Sequence, residues 1–147
     1  MPLMQTRANV TWSGNLRDGS GTLTPGSGAF PELPLTFAAR TESQGGKTNP
    51  EELLASAHAI CYAMVMSNVL TQEAGAPPER IEVEAVATLD RIDGALKITN
   101  MQLNIGAKVA GIDAARFETL AREGEQRCPV SNALRGNVEI AVSARLL

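Results

Sequence analysis

Residues 48–61 read TNPEELLASAHAIC, and this stretch marks the start of a long helix. Asn49 has a side chain suited to an N-cap, Pro50 suits the first helical position, and Glu52 completes a capping pattern. Apolar residues then recur at helical spacing until Gly75, which is followed closely by two prolines. We therefore predict one long helix that begins at Pro50 and ends before Gly75. Small residues in its first half favour a central, buried position.

Strand patterns lie on both sides of this helix. We predict strands over residues 7–12, 20–24 and 35–40 before the helix, and over 81–89, 96–105 and 138–142 after it. Apolar and polar residues alternate most clearly along 7–12, 35–40 and 81–89. Asp93 and Gly94 have the chemistry of a hairpin turn. Residues 113–127 predict an amphipathic helix, and a short helix opens at Cys128 and Pro129. The order of strands and helices predicts one α+β domain over residues 1–147.

Composition argues against several classes of partner. The net charge is −3 and aromatic residues make up only 3% of the chain, so neither a phosphate-binding surface nor a base-stacking platform is expected. The N-terminus lacks the apolar core of a signal peptide, and no stretch is expected to approach the ~20 apolar residues needed to cross a membrane. We therefore expect no nucleic acid and no membrane as partners, and a cytoplasmic location.

The two cysteines carry the chemical signal. Cys61 and Cys128 are far apart in sequence and form no CxxC motif. In a cytosolic protein a transient catalytic disulfide is more usual than a structural one, so the pair suggests an attacking thiol and a resolving thiol. Cys61 lies in the middle of a helix, where a buried core cysteine is the simpler interpretation and a reactive thiolate needs a nearby cation. Cys128 is expected at a helix N-terminus, where backbone N–H groups favour a thiolate. No metal or cofactor site is predicted.

Charged residues near the helix supply candidate partners for Cys61. Glu51 lies roughly 15 Å from Cys61 along a straight helix, so it could act at that thiol only across a two-fold dimer in which equivalent helices cross. Arg40, at the end of the predicted third strand, and Arg17, in the first turn, are the candidate cations. Each of these residues also has a simpler interpretation. Glu51 could serve only to stabilise the start of the helix, and each arginine could be a solvated surface charge. His58 could act as a base, although a packed helix histidine is the simpler interpretation.

These motifs resemble those of one known family. Residues 48–54 and 57–61 resemble the first signature of the OsmC/Ohr family, the osmotically induced proteins C and the organic hydroperoxide resistance proteins, and residues 128–131 resemble the second. Residues 12–14 and 109–113 resemble the OsmC branch in particular. The resemblance implies an intertwined homodimer in which long central helices are wrapped by antiparallel sheets and the active sites lie at the subunit interface.

The resemblance also implies roles for the candidate residues. Cys61 would be the peroxidatic cysteine and Cys128 the resolving one, with Glu51 holding an arginine beside the thiolate. That arginine is Arg40 by similarity to the OsmC branch and Arg17 by similarity to the Ohr branch. The implied substrate is an organic hydroperoxide and the implied reductant a dithiol of the dihydrolipoyl type.

Further expectations and alternatives remain open at the level of sequence. Met64 and Phe37 are expected to line an apolar substrate pocket. A redox-sensing or ligand-binding dimer is the main alternative function. A thiol hydrolase built on Cys61 and His58 is a weaker one, because an orienting acid and an oxyanion hole are not evident.

Overall fold

In a computed structural model of the chain, the described residues, 1–42 and 45–147, divide into two units. The first unit runs from Met1 to Pro50 and the second from Glu51 to Leu147. Each unit contains one three-stranded sheet. The mixture of sheets and helices confirms the α+β class, whereas the action of residues 1–147 as one domain stays a prediction.

The first unit contains three strands and a short helix. Strands β1 (Ala8–Ser13), β2 (Ser20–Pro25) and β3 (Leu33–Leu35) form an antiparallel sheet in that order. Helix α1 (Ala38–Thr41) follows directly. The first two strands lie where the alternating patterns predict them.

The prediction of a third strand over residues 35–40 is wrong. The strand ends at Leu35, and a helical turn begins immediately afterwards. Pro34 has no N–H to donate to a ladder, which confines it to an edge strand. The Ala39 backbone N–H donates to the Thr36 hydroxyl at 3.3 Å, a local bond that favours a turn over an extended chain. Arg40 therefore lies in α1 and does not end a strand.

The long helix α2 has the bounds predicted from its start and stop signals. It spans Pro50–Ala74, 25 residues. Along one face Tyr62, Met66 and Leu70 are fully buried in the core of the second unit. The opposite face is open in the single chain, where Met64 is 69% exposed. The expected burial is therefore found on one face of the helix only.

The prediction that no stretch approaches the length of a membrane span is contradicted by α2. Among the described residues this helix alone is long and apolar enough to cross a membrane, with a mean hydropathy of 1.6 over its most apolar window. Leucine, isoleucine and valine raise that mean, whereas Ser56, His58 and Asn68 interrupt the apolar run. About one third of the window is buried inside the fold (33%), on the face that contacts the core.

The sheet of the second unit is built on a long hairpin. Strand β4 (Arg80–Ile92) pairs antiparallel with β5 (Ala95–Lys108). The turn between them has positive φ angles at Asp93 (49°) and Gly94 (82°), as the predicted turn chemistry requires. The hairpin is longer at both ends than the alternating pattern indicated, because the strands continue into polar residues.

The third strand of this sheet corrects one detail of the predicted fold. Strand β6 (Glu139–Leu146) pairs parallel with β5, so this sheet is mixed and not antiparallel throughout. Helices α3 (Ala114–Arg127) and α4 (Pro129–Leu134) connect the two strands. A connection that contains helices can return the chain to the same edge in the same direction, which a short hairpin turn cannot do.

Candidate active site

The structure brings the two cysteines into contact. Cys61 lies in the middle of α2 and Cys128 is the N-cap residue of α4. Both are free thiols, and their side chains are within hydrogen-bonding distance of each other. Cys61 is partly exposed, whereas Cys128 has no exposed surface. Thiols on two separate elements must lie close together in this way before a disulfide can form between them.

A backbone group of α4 also reaches Cys61. The N–H of Val130, in the first turn of that helix, donates a hydrogen bond to the Cys61 sulfur. The first N–H groups of a helix have no partner inside the helix, so they are available to an outside acceptor. The predicted position of Cys128 at the start of this helix is confirmed. Its side chain accepts no capping bond, and the Val130 N–H reaches the Cys61 sulfur. That the helix start favours a Cys128 thiolate stays a prediction.

The environment of Cys61 within one chain does not favour its thiolate. Burial raises the pKa of the Cys61 thiol above its usual value, and the neighbouring Cys128 raises it further. The Val130 N–H lowers this pKa and opposes both effects. A reactive Cys61 therefore needs a cation beyond these neighbours.

A second polar pair lies beside the cysteines. His58 is fully buried on α2, and its Nε2 is 2.7 Å from the hydroxyl oxygen of Ser131 on α4. Its Nδ1 is buried with no hydrogen-bond partner among the described residues. Burial lowers the pKa of His58, and Glu125 partly restores it. The simpler interpretation of His58 as a packed helix residue agrees with this position, and Nε2 is engaged by a serine and not by a thiol.

An ion pair between Arg135, the residue just past α4, and Glu125 links this short helix to α3. The carboxylate of Glu125 on α3 is almost completely buried and accepts hydrogen bonds from Arg135 at 2.7 Å and Gln126 at 2.9 Å. The Cys128 backbone N–H donates to the Glu125 carbonyl at 3.1 Å. The short helix α4 is thus fixed at its beginning and just past its end.

The other candidate residues are the glutamate and the two arginines that were expected to act on the Cys61 thiolate. Glu51 is buried at the second position of α2. Arg40 is half-buried in α1, and Arg17 is exposed in the turn between β1 and β2. Both arginines belong to the first unit, so their pairing with Glu51 or Cys61 stays a prediction.

The expected substrate pocket also stays a prediction. Met64 lies on the exposed face of α2 and Phe37 is half-buried in the first unit. A cleft of about 410 Å³ is lined by residues of β4, β5 and β6 and includes neither cysteine. Among the described residues no group of three or more His, Cys, Asp or Glu side chains could hold a metal ion.

Sequence reasoning missed two contributors to the site. The Val130 N–H and the Ser131 hydroxyl both come from the first turn of α4. The predicted helix start at Cys128 and Pro129 was a signal for the first of them, because it leaves N–H groups to be satisfied. Nothing in the local sequence indicates that His58 would meet Ser131, since that contact depends on how α4 lies against α2.

Comparison with known proteins gives a consistent result. Residues 43–143 match the model of a family described as OsmC-like protein. Peroxiredoxin OsmC of Escherichia coli K12 is 37% identical over 134 residues, which cover 91% of this chain and 92% of the relative. The organic hydroperoxide resistance protein of Xanthomonas axonopodis pv. citri is 33% identical over 99 residues, covering 67% and 68%. A crystal structure from Legionella pneumophila, described as an organic hydroperoxide resistance protein OsmC, superposes with a TM-score of 0.77 at 25% identity and 98% coverage of both chains.

Proposed function

Because the chain belongs to the OsmC-like protein family, we propose that it is a thiol-dependent peroxidase that reduces organic hydroperoxides. One observation carries this proposal. The thiols of Cys61 and Cys128, which are remote in sequence, are in contact, and Cys61 is the more accessible of the two. The names of the relatives, a peroxiredoxin and organic hydroperoxide resistance proteins, support a role in hydroperoxide chemistry.

The proposed cycle has three balanced steps. The Cys61 thiolate attacks the outer oxygen of the hydroperoxide, the O–O bond breaks, and with one proton the alcohol leaves, so that Cys61 becomes a sulfenic acid. The Cys128 thiol sulfur then bonds to the Cys61 sulfur, and the hydroxyl leaves with the thiol proton as water. A dithiol reductant, proposed to be of the dihydrolipoyl type, restores both thiols and becomes a disulfide itself.

The thiolate is proposed to be stabilised by an arginine that Glu51 orients. The need for such a cation follows from the raised pKa of Cys61 in its single-chain environment. Arg40 is the favoured candidate and Arg17 the alternative. The arginine would also polarise the peroxide oxygen, which a fixed guanidinium does well because it stays charged at all working pH values.

The working form is proposed to be a homodimer. Support comes from the open face of α2, where Ile60 and Met64 expose large apolar surfaces next to Cys61. The distance between Glu51 and Cys61 along one helix is consistent with a site completed by two subunits. We propose that the dimer acts in the cytoplasm, where a catalytic disulfide is transient.

Peroxide consumption by the pure protein tests the proposal. We expect many turnovers with cumene hydroperoxide and excess dithiol, slower turnover with hydrogen peroxide, and little turnover with a monothiol. Cys61→Ser should abolish the activity, while Cys128→Ser should allow one oxidation per site without efficient cycling. Full activity of Cys61→Ser would overturn the mechanism. A single stoichiometric oxidation of the wild-type protein that then stops would favour a redox sensor instead.

A further inference from the structure

The buried pair of His58 and Ser131 is not used by the proposed cycle. The His58 side chain has no exposed surface, and its position lowers the pKa of the imidazole. A buried polar group costs stability unless its hydrogen bonds are made, and here one ring nitrogen is satisfied only by the Ser131 hydroxyl at 2.7 Å. Apolar side chains at both positions would avoid this cost, whereas a change at one position leaves the other polar group unpaired. The pair therefore contributes something other than core packing.

His58 and Ser131 lie at the same spacing from the two cysteines along their elements. His58 lies one helical turn before Cys61 on α2, and Ser131 lies one turn after Cys128 in the α4 segment. The His58–Ser131 hydrogen bond and the contact between the two thiols are thus neighbouring links between the same two elements.

The short helix needs such a link. Helix α4 has only six residues, too few to hold its position by intrinsic helix stability. The Arg135–Glu125 ion pair and the bond from the Cys128 backbone N–H to the Glu125 carbonyl both tie it to α3, which carries neither cysteine and does not fix α4 to α2 at the level of Cys61. The other links to α2 described above, the thiol contact and the Val130 N–H, both end on the Cys61 sulfur, which is the reacting atom.

We infer that the His58–Ser131 hydrogen bond holds Cys128 in register with Cys61 while the Cys61 sulfur is oxidised. When Cys61 becomes a sulfenic acid, its oxygen alters both links that end on the sulfur. The His58–Ser131 bond involves no reacting atom and persists. His58 is in this sense a positioning residue for the resolving step, in which the Cys128 sulfur displaces the hydroxyl of the sulfenic acid as water.

The consequence is protection against overoxidation. A sulfenic acid that is not resolved quickly reacts with a second hydroperoxide, which transfers one oxygen to the sulfur to give a sulfinic acid and leaves as the alcohol. Accurate placement of Cys128 shortens the life of the sulfenic acid. This inference rests on the proposed peroxidase function.

Single-turnover oxidation of the full-length protein tests the inference. Four reduced proteins would be mixed with cumene hydroperoxide: the wild type, Ser131→Ala, His58→Ala and His58→Gln. Samples would be quenched at intervals with dimedone and acid, and their oxidation states would be determined by intact-protein mass spectrometry. In Ser131→Ala and His58→Ala we expect wild-type rates of Cys61 oxidation but disulfide formation slowed by about tenfold or more, since small misplacements of reacting groups have effects of this size. Sulfinic acid should accumulate in both variants. His58→Gln, whose amide can replace Nε2, should stay near the wild type.

Tyr62→Phe is the matched control. Tyr62 lies on the same helix and is fully buried, but its hydroxyl donates to the Ala121 carbonyl of α3 at 2.7 Å and not to α4. Its loss removes one buried hydrogen bond of α2 without touching the proposed link. We expect wild-type disulfide formation in this variant, even if its melting temperature falls as far as that of Ser131→Ala.

The possible failures are distinguishable. Disulfide formation at the wild-type rate in Ser131→Ala, or an equal slowing in Tyr62→Phe, would overturn the inference and leave the peroxidase proposal intact. A wild-type protein that forms no disulfide after oxidation of Cys61 would overturn the proposed cycle and the inference together.

Discussion

At the scale of single residues, the two cysteines differ most in their access to solvent. Cys61 is partly exposed, whereas Cys128 has no exposed surface and is enclosed where α4 meets the core. This difference fits a division of labour in which one thiol meets a substrate from solution and the other meets only its partner sulfur. It also makes the two thiols distinguishable by chemical labelling.

We expect iodoacetamide to modify Cys61 well before Cys128 in the reduced native protein. The reason is access, because a fully buried thiol reacts only when the fold opens. Peptide mass mapping after timed labelling would measure the order. Cys128→Ser should label like the wild type and Cys61→Ser should resist labelling until denaturant is added. A first adduct on Cys128 would contradict this assignment of the attacking thiol.

The arginine that we propose to activate Cys61 can be identified by comparing two variants. Burial raises the pKa of this thiol, so its activation depends on an opposing cation. Removal of the partner arginine should shift the pH midpoint of Cys61 alkylation upward by about 1–3 units. We expect this for Arg40→Ala and not for Arg17→Ala, with Arg40→Lys in between. The reverse order would assign the role to Arg17, and no shift in either variant would remove the arginine from the mechanism.

His58 should make the free energy of unfolding depend on pH in a definite direction. Burial lowers the pKa of His58 below its ordinary value of 6.5, and Glu125 on α3, which is paired with Arg135, only partly compensates. Below about pH 6.5 the unfolded chain therefore binds a proton that the folded chain does not, and the free energy of unfolding falls as the pH falls.

Urea unfolding between pH 7.5 and 5.5 would measure this effect, whose limiting slope is about 1.4 kcal/mol per pH unit for one group. In His58→Gln the free energy of unfolding should depend less on pH in this window. In Tyr62→Phe it should be lower at every pH, with the same slope as in the wild type. An unchanged slope in His58→Gln would show that His58 is not the group responsible.

At the scale of elements, the bounds of the helices could be predicted from the sequence more accurately than the contacts between helices. The start of α2 was readable because capping and the proline at its first turn act locally. The end of β3 was misread, because the competition between an edge strand and the local Thr36 bond is not visible in an alternating pattern. The parallel pairing of β6 and the contact of Ser131 with His58 could not be predicted, because both depend on how α3 and α4 pack in the fold.

The close approach of α3 to α2 depends on Gly124. A Cβ added at this position would overlap the sulfur of Met66 on α2. Alanine normally stabilises a helix relative to glycine by ~1 kcal/mol, so a loss of stability here would have the opposite sign to the propensity effect.

We expect Gly124→Ala to destabilise the fold by about 1–3 kcal/mol, the usual range for overpacking a core. Chemical denaturation of the reduced protein would measure it. In a Met66→Val background, which removes the overlapping sulfur, the same substitution should cost less. An increase in stability in the wild-type background would mean that the contact between these helices relaxes freely.

At the scale of the whole molecule, the face of α2 that the single chain leaves open remains to be accounted for. Ile60 is 58% and Met64 69% exposed, and they lie one turn apart beside Cys61. Adjacent large apolar side chains on one helix face form the kind of patch that marks an interaction surface. In the proposed homodimer this face meets its equivalent on the second subunit, which would also complete each active site.

The joint substitution of Ile60 and Met64 by glutamate should therefore convert the dimer into monomers and lower the peroxidase activity together, because buried like charges would face each other across the two-fold axis. Sedimentation velocity at micromolar concentration and cumene hydroperoxide turnover would be measured on the same samples. Ile92→Glu is the matched control, since Ile92 is 47% exposed beside the hairpin turn of β4 and β5, and it should leave both properties unchanged. A wild-type protein that sediments as a monomer while turning over peroxide, or a double variant that becomes monomeric with full activity, would mean that each chain carries a complete site. In that case the partner of Glu51 would have to be sought within one subunit.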